Sequence, residues 1–225
     1  MKEQVGLSLG TQILGQLRDA ILWGKFAPGE RLRLESLQKA FGYSSTPLRE
    51  ALTRLTGEGL AELEDHRGFR VTPVSVEELR EITRLRVLFE QEALKESIAR
   101  GGDDWEASVV AAFHRLAAVE KRMPDLMPAL SAEWSDRHRE FHAALISACS
   151  SPKLLQLCAD YFVRAERYRR LSAEYRKTAR NKSNEHGRIM RAALSRQTDA
   201  ALDLIAAHIE RTAEAVAPAL AAGRR

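Results

Sequence analysis

Three short runs of apolar residues at helical spacing open the chain. Leu9, Ile13, Leu17, Ala20 and Ile21 form the first stripe, which closes at Gly24 and a Pro28-Gly29 turn. Leu34, Leu37, Ala40 and Phe41 form the second, stopped by Gly42. Leu48, Leu52 and Leu55 form the third. Ser44 or Ser45 is placed to cap it, and Pro47 falls in its first turn, where a missing N–H is tolerated. After Gly57 and Gly59 the period changes to two: Leu60 to Leu63 and Phe69 to Val71 alternate about the turn Asp65-His66-Arg67-Gly68. Three helices and a β-hairpin are therefore predicted over residues 1–74.

From residue 75 onward the pattern is helical. Ser75-Val-Glu-Glu78 reads as a capping box, opening a long helix that turns Leu79, Ile82, Leu85, Phe89, Ala93 and Ser97 or Ile98 inward until Gly101-Gly102 stops it. A helix capped by Asp103 or Asp104 and containing Trp105 runs to Met123-Pro124. Further helices are predicted over about Ser131 to Cys149 and from Pro152 to about Ala179. After a break at Asn181 to Asn184 come two more, the last capped by Thr198. No strand is predicted after the hairpin. The chain reads as mostly α: a small domain over 1–74 and an all-helical antiparallel bundle over 75–225.

Composition excludes some classes. No apolar run reaches 18 residues and Met1 to Leu9 has no leader pattern, so neither a membrane span nor a secretion signal is expected. Cys149 and Cys158 lie within helical patterns and form no CxxC, which fits a reducing cytoplasm. The net charge of +4 says little about the first domain, where Met1 to Val74 holds ten Lys/Arg against nine Asp/Glu. Its basic residues must act locally. Asp160 to Arg191 holds ten against four, either the solvated face of long helices or arginines turned toward an anionic ligand.

The pair of helices in Leu34 to Arg54, joined by a tight turn and followed by the hairpin, has the form of a winged helix-turn-helix. The start of the second helix offers Ser44, Ser45, Thr46 and unpaired first-turn N–H groups to phosphates and base edges, with Arg49 on an outer face. Arg33, just before the pair, and Arg67 and Gly68 at the hairpin tip complete the candidate DNA-contacting set. The run Ile21-Leu-Trp-Gly24-Lys-Phe-Ala-Pro28-Gly29-Glu-Arg-Leu32, with Ser44-Ser-Thr-Pro47-Leu-Arg49-Glu50-Ala51-Leu52 and Gly59-Leu60, resembles the DNA-binding domain of GntR-family bacterial transcription regulators. The resemblance implies that Arg49 contacts DNA and that Gly68 marks the wing tip. That family often has Arg where this chain has Ser45, so one contact differs.

The bundle holds the second candidate site. Trp134, His138, Phe141, Leu145 and Ala148 share a stripe, which puts His138 inward with His142 one turn on; two imidazoles so spaced can share a metal ion. His186 shares a face with Ile189, Met190 and Ala193, and His208 follows Leu204 and Ile205. A lone inward histidine is an ordinary core residue; four from three helices favour a common site. The bundle also resembles the FCD domain of the FadR-type branch of the same family, which in many members holds a divalent metal. The resemblance implies a ligand set of His142, His186 and His208, with His138 where the family has Asp or Asn. Four neutral imidazoles would leave the 2+ charge uncompensated, would suit Zn²⁺ or Ni²⁺, and would attract an anion.

Arg86, four residues before Glu90 on the long helix, matches the family's Arg-x-x-x-Glu pattern and could hold a carboxylate, or simply pair with Glu90; Arg167 is a second candidate. Ala99-Arg-Gly-Gly-Asp103-Asp-Trp105-Glu and Arg137-His138-x-x-Phe141-His142 are similar to glutarate-responsive repressors of carbon-starvation genes. The expected function is a homodimeric, metal-containing regulator, a repressor released from double-stranded operator DNA by a small carboxylic acid such as glutarate, and not an enzyme. Two rivals stand beside it. One is a metal-free regulator binding an acyl-CoA-type ligand. The other is a metallohydrolase, against which Arg139 counts, since zinc proteases place Glu directly after the first His.

Overall fold

The computed structural model describes residues 8–65, 67–122, 131–171 and 182–222. They divide into two compact units, meeting in sequence between Ser75 and Val76. His66, Met123-Pro124 and the expected helix between Leu171 and Ala179 lie wholly or partly outside the described residues.

In the first unit α1 (Leu9–Leu22), α2 (Leu34–Phe41) and α3 (Ser45–Gly57) pack around Ile13, Leu17, Ile21, Leu37, Leu48, Leu52 and Leu55, all nearly inaccessible. Leu9 and Ala40, expected to face inward, are exposed; Leu9 is the first residue of α1, and at the end of α2 Phe41 rather than Ala40 is partly buried. Gly42 ends α2 with φ +76°, a conformation that suits glycine, and so fixes the tight turn into α3. Ser44 occupies the cap position of α3, but its side chain makes no capping bond. Arg18 of α1 holds Glu58, at the end of α3, through Nε at 2.8 Å and Nη2 at 2.5 Å.

The hairpin consists of β2 (Ala61–Glu64) and β3 (Gly68–Val71), with Leu63 opposite Phe69. A further strand, β1 (Arg31–Leu32), lies against the other side of β3, pairing Leu32 with Phe69, so the sheet has three strands in the order β1-β3-β2. Two residues are too short a run to show a period, which is why the sequence did not announce β1.

The second unit is helical throughout its described residues: α4 (Val76–Arg100), α5 (Asp103–Arg122), α6 (Ala132–Leu145), α7 (Pro152–Leu171), α8 (Lys182–Leu194) and α9 (Thr198–Ala222). α6 stops four residues earlier than expected, and α8 already begins at Lys182. α4 packs on α7 and α9, α5 on α6 and α8, and α8 on α9. Their shared core includes Leu94, Val109, Leu116, Trp134, Phe141, Leu145, Ile189 and Ile205. Burial of these side chains, each worth about 1.5–3 kcal/mol, holds the bundle together. No helix among the described residues is long and apolar enough to cross a membrane.

Candidate metal centre and DNA-reading surface

The helix α6 is fixed at both ends. Ser131 accepts the N–H of Trp134 at 3.2 Å, and the Trp105 indole donates to the carbonyls of Ala144 and Leu145 at 3.1 and 3.2 Å. Trp134, Phe141 and Leu145 lock into the core, which turns His138 and His142 toward α8 and α9. There they meet His186 and His208. All four imidazoles are at most 5% exposed, their ring centroids lie 4.6 to 6.1 Å apart, and one nitrogen of each falls within 4.8 Å of the others. Zinc–nitrogen bonds of about 2.0–2.1 Å put the nitrogens of one ion roughly 3–4 Å apart, so a shared ion would need the wider pairs to close by up to about 1 Å, a small side-chain movement.

The chemistry of the donors agrees. Both ring nitrogens of His138 and Nε2 of His142 are buried with no hydrogen-bond partner among the described residues. Buried polar atoms are rarely left so unless an ion or water satisfies them. Nδ1 of His142 meets Glu90 Oε2 at 2.9 Å, and Nδ1 of His208 meets Glu185 Oε2 at 2.9 Å. Glu120 Oε1 lies 3.5 Å from Nδ1 of His186. A carboxylate behind an imidazole fixes the tautomer and leaves Nε2 for a metal. Glu90 behind His142 and Glu185 behind His208 stand at hydrogen-bond distance, but Glu90 is itself paired with Arg86 and Glu185 lies 3.7 Å from Arg211, so much of their charge is already balanced and an ion here would keep a positive character. Burial would raise the Glu90 carboxyl, but Arg86 and His142 outweigh it and hold it down at about 2. Burial, reinforced by the other imidazoles and Arg169, keeps His138 well below its ordinary value and therefore neutral, as a metal ligand must be.

Arg86 is buried. It bonds Glu90 Oε1 through Nε at 2.8 Å and Nη2 at 2.6 Å, and its guanidinium lies 4.9 Å from the Phe162 ring centre. The ion pair with Glu90 thus exists, but inside the bundle rather than on a helix surface. Beside the histidines is a small chamber lined by Arg86, His138, Phe162, Glu166, Arg169 and His208, among others. Arg167 is buried as well but does not line it. The α7 guanidinium that does is Arg169, stacked 4.4 Å over Trp134, which in turn stacks on His138 at 4.5 Å. The basic run alone does not single out Arg169 and Glu166, although Phe162, Glu166 and Arg169 stand at i, i+4 and i+7, a single helical face.

In the first unit Arg33, Ser44, Ser45, Thr46, Arg49 and Arg67 are all exposed. Ser44, Ser45, Thr46 and Arg49 share the N-terminal half of α3, where backbone N–H groups and the helix dipole favour phosphate. Gly68, φ +83°, starts β3 at the hairpin turn.

Comparison with known proteins places these features. Residues 9–71 match the family of bacterial regulatory proteins called gntR, and residues 81–211 match the FCD domain. The chain is 37% identical over 195 residues to the HTH-type transcriptional regulator BphR of Paraburkholderia xenovorans, covering 87% of this chain and 80% of that one. It is 35% identical over 197 residues to the HTH-type transcriptional repressor GlaR of Escherichia coli, covering 86% and 89%. Among solved structures, Escherichia coli McbR/YncC aligns with a TM-score of 0.74 at 20% identity, over 92% of this chain and 95% of that one, a likeness of fold. The chain therefore belongs to the GntR family of bacterial transcriptional regulators and carries an FCD domain.

Proposed function

We propose that this regulator is a homodimeric repressor that binds double-stranded operator DNA through α3 and the wing, and that a small carboxylic acid bound at a metal site in the bundle releases it. The observation that carries this reading is the convergence of His138, His142, His186 and His208 next to a chamber into which Arg86 and Arg169 also face. A Zn²⁺ or Ni²⁺ ion on the imidazoles supplies a positive centre for a carboxylate, and a guanidinium supplies a planar fork for it. The repressor name of GlaR, a relative over most of both chains, supports the sign of regulation. A metal-free acyl-CoA-type reading gives the four converging imidazoles no role.

In this reading Arg49, Ser44, Ser45 and Thr46 contact phosphates and base edges, with Arg33 and Arg67 on the flanking backbone. Two-fold symmetry presents two such surfaces to a short palindrome. The acid must bind the released arrangement more tightly than the DNA-bound one, since equal affinity would shift nothing.

The test uses untagged protein. His142→Ala is expected to lower metal content, measured by elemental analysis, and to abolish the effect of glutarate on binding to labelled upstream DNA, while DNA affinity stays near wild type. A variant that loses the metal yet keeps wild-type sensitivity to glutarate overturns the metal site as the seat of the response.

A further inference from the structure

We propose that Glu166 is an internal stand-in for the second carboxylate of a dicarboxylate effector, and that Arg169 is the guanidinium it yields when that effector enters. This inference rests on the effector reading above and deepens it. The chamber has a free volume of about 20 Å³, enough for a water. Any organic acid must displace a side chain to enter. Two guanidiniums from different helices line the chamber, Arg86 from α4 and Arg169 from α7, and each is already held by a glutamate. The two glutamates are not equivalent.

Glu90 is committed twice, to Arg86 and to Nδ1 of His142, so moving it would loosen a metal ligand. Glu166 touches no histidine in any hydrogen bond described for it. Its Oε2 accepts Nε of Arg169 at 3.1 Å and also Nη2, while Oε1 accepts Nε of Arg170 at 2.7 Å. It can therefore release Arg169 and keep Arg170, which spares a buried carboxylate from standing alone. Arg169 in turn stays in place without Glu166: its guanidinium lies 4.4 Å over the Trp134 ring and its Nη2 donates to Ser135 Oγ at 3.1 Å. That is a preset anchor in the wall of a chamber that His138 and His208 also line. One carboxylate near the metal and Arg86, and another on Arg169, satisfy both ends. A monocarboxylate satisfies one.

The experiment compares glutarate with valerate, which has the same five carbons and one carboxylate, by calorimetric titration into metal-loaded full-length protein. Wild type is expected to prefer glutarate. Arg169→Gln should weaken glutarate at least about tenfold and leave valerate unchanged, and Glu166→Gln should strengthen glutarate about tenfold, again without effect on valerate. The glutarate concentration that releases DNA should move in step. If Glu166→Gln fails to fold, Arg169→Lys, which keeps the charge and loses the planar fork, reads the same discrimination. Equal shifts for both acids, or none, overturn the proposal and leave the α7 ion pairs structural. Wild type that binds the two acids equally overturns this inference alone; wild type that binds neither overturns the carboxylate-effector reading with it.

Discussion

Glu90 Oε2 lies 2.9 Å from Nδ1 of His142, and the other oxygen of the same carboxylate takes two donors of Arg86 at 2.8 and 2.6 Å. One buried carboxylate thus joins the helix α4 to an imidazole of the candidate metal centre and to a guanidinium of the chamber. Glu90→Gln keeps the shape and removes the charge that makes His142 a stronger ligand. Metal affinity is expected to fall about 10–100-fold, measured by competition with a chromophoric chelator. Unchanged affinity would mean that Glu90 serves Arg86 alone.

Gly101 ends α4 where a side chain has no room. A Cβ there would stand 2.3 Å from Cε3 of Trp105 and 2.8 Å from the Ser97 carbonyl oxygen, and the backbone oxygen cannot swing away. Trp105 reaches the end of α6 through its indole N–H, so its displacement would be felt by the helix that carries His138 and His142. Gly101→Ala is expected to cost about 1–3 kcal/mol in urea unfolding. Gly102→Ala, with nothing within 4 Å of the added carbon, is the control and should cost much less.

The sequence carried the fold because its periods were long and clean, and the histidines were legible because each sat on an apolar helical stripe. What it could not show was the layer behind them. Glu90, Glu120 and Glu185 come from α4, α5 and α8, and nothing in the local spacing of a glutamate tells which imidazole on another helix it will meet. The basic run points to Arg167, yet four consecutive positions there, Arg167 to Arg170, are all buried, so polarity does not distinguish the faces of α7. The apolar partner Phe162 did mark the chamber face, and with it Glu166 and Arg169.

Arg49 stands exposed on the second turn of α3, and its carbonyl accepts the Thr53 hydroxyl at 2.9 Å, a contact that any residue would keep. Arg49→Ala should therefore leave unfolding unchanged while weakening operator binding by about 1–3 kcal/mol. Anisotropy titrations over a salt series separate its two roles. A weakening equal for operator and unrelated DNA, with a shallower salt dependence, marks a phosphate contact; a loss confined to the operator marks a base contact. Wild-type affinity at moderate salt would remove Arg49 from the interface.

Stability of the metal-stripped protein should fall in mild acid. In the unfolded chain His138 takes up a proton near the ordinary histidine value of about 6.5. In the folded chain burial, the neighbouring imidazoles and Arg169 hold its proton affinity well below that. Protons therefore bind the unfolded chain first, so the contribution of His138 is complete above about pH 6.5 and declines as the pH drops below it, by at most about 1.4 kcal/mol per pH unit. Urea unfolding of chelator-treated protein in steps from neutral to mildly acid pH measures the slope. His138→Asn removes the titrating ring and should flatten it by about one proton. If both proteins give the same slope, His138 is protonated inside the bundle, and it would have to lose that proton before it could bind a metal.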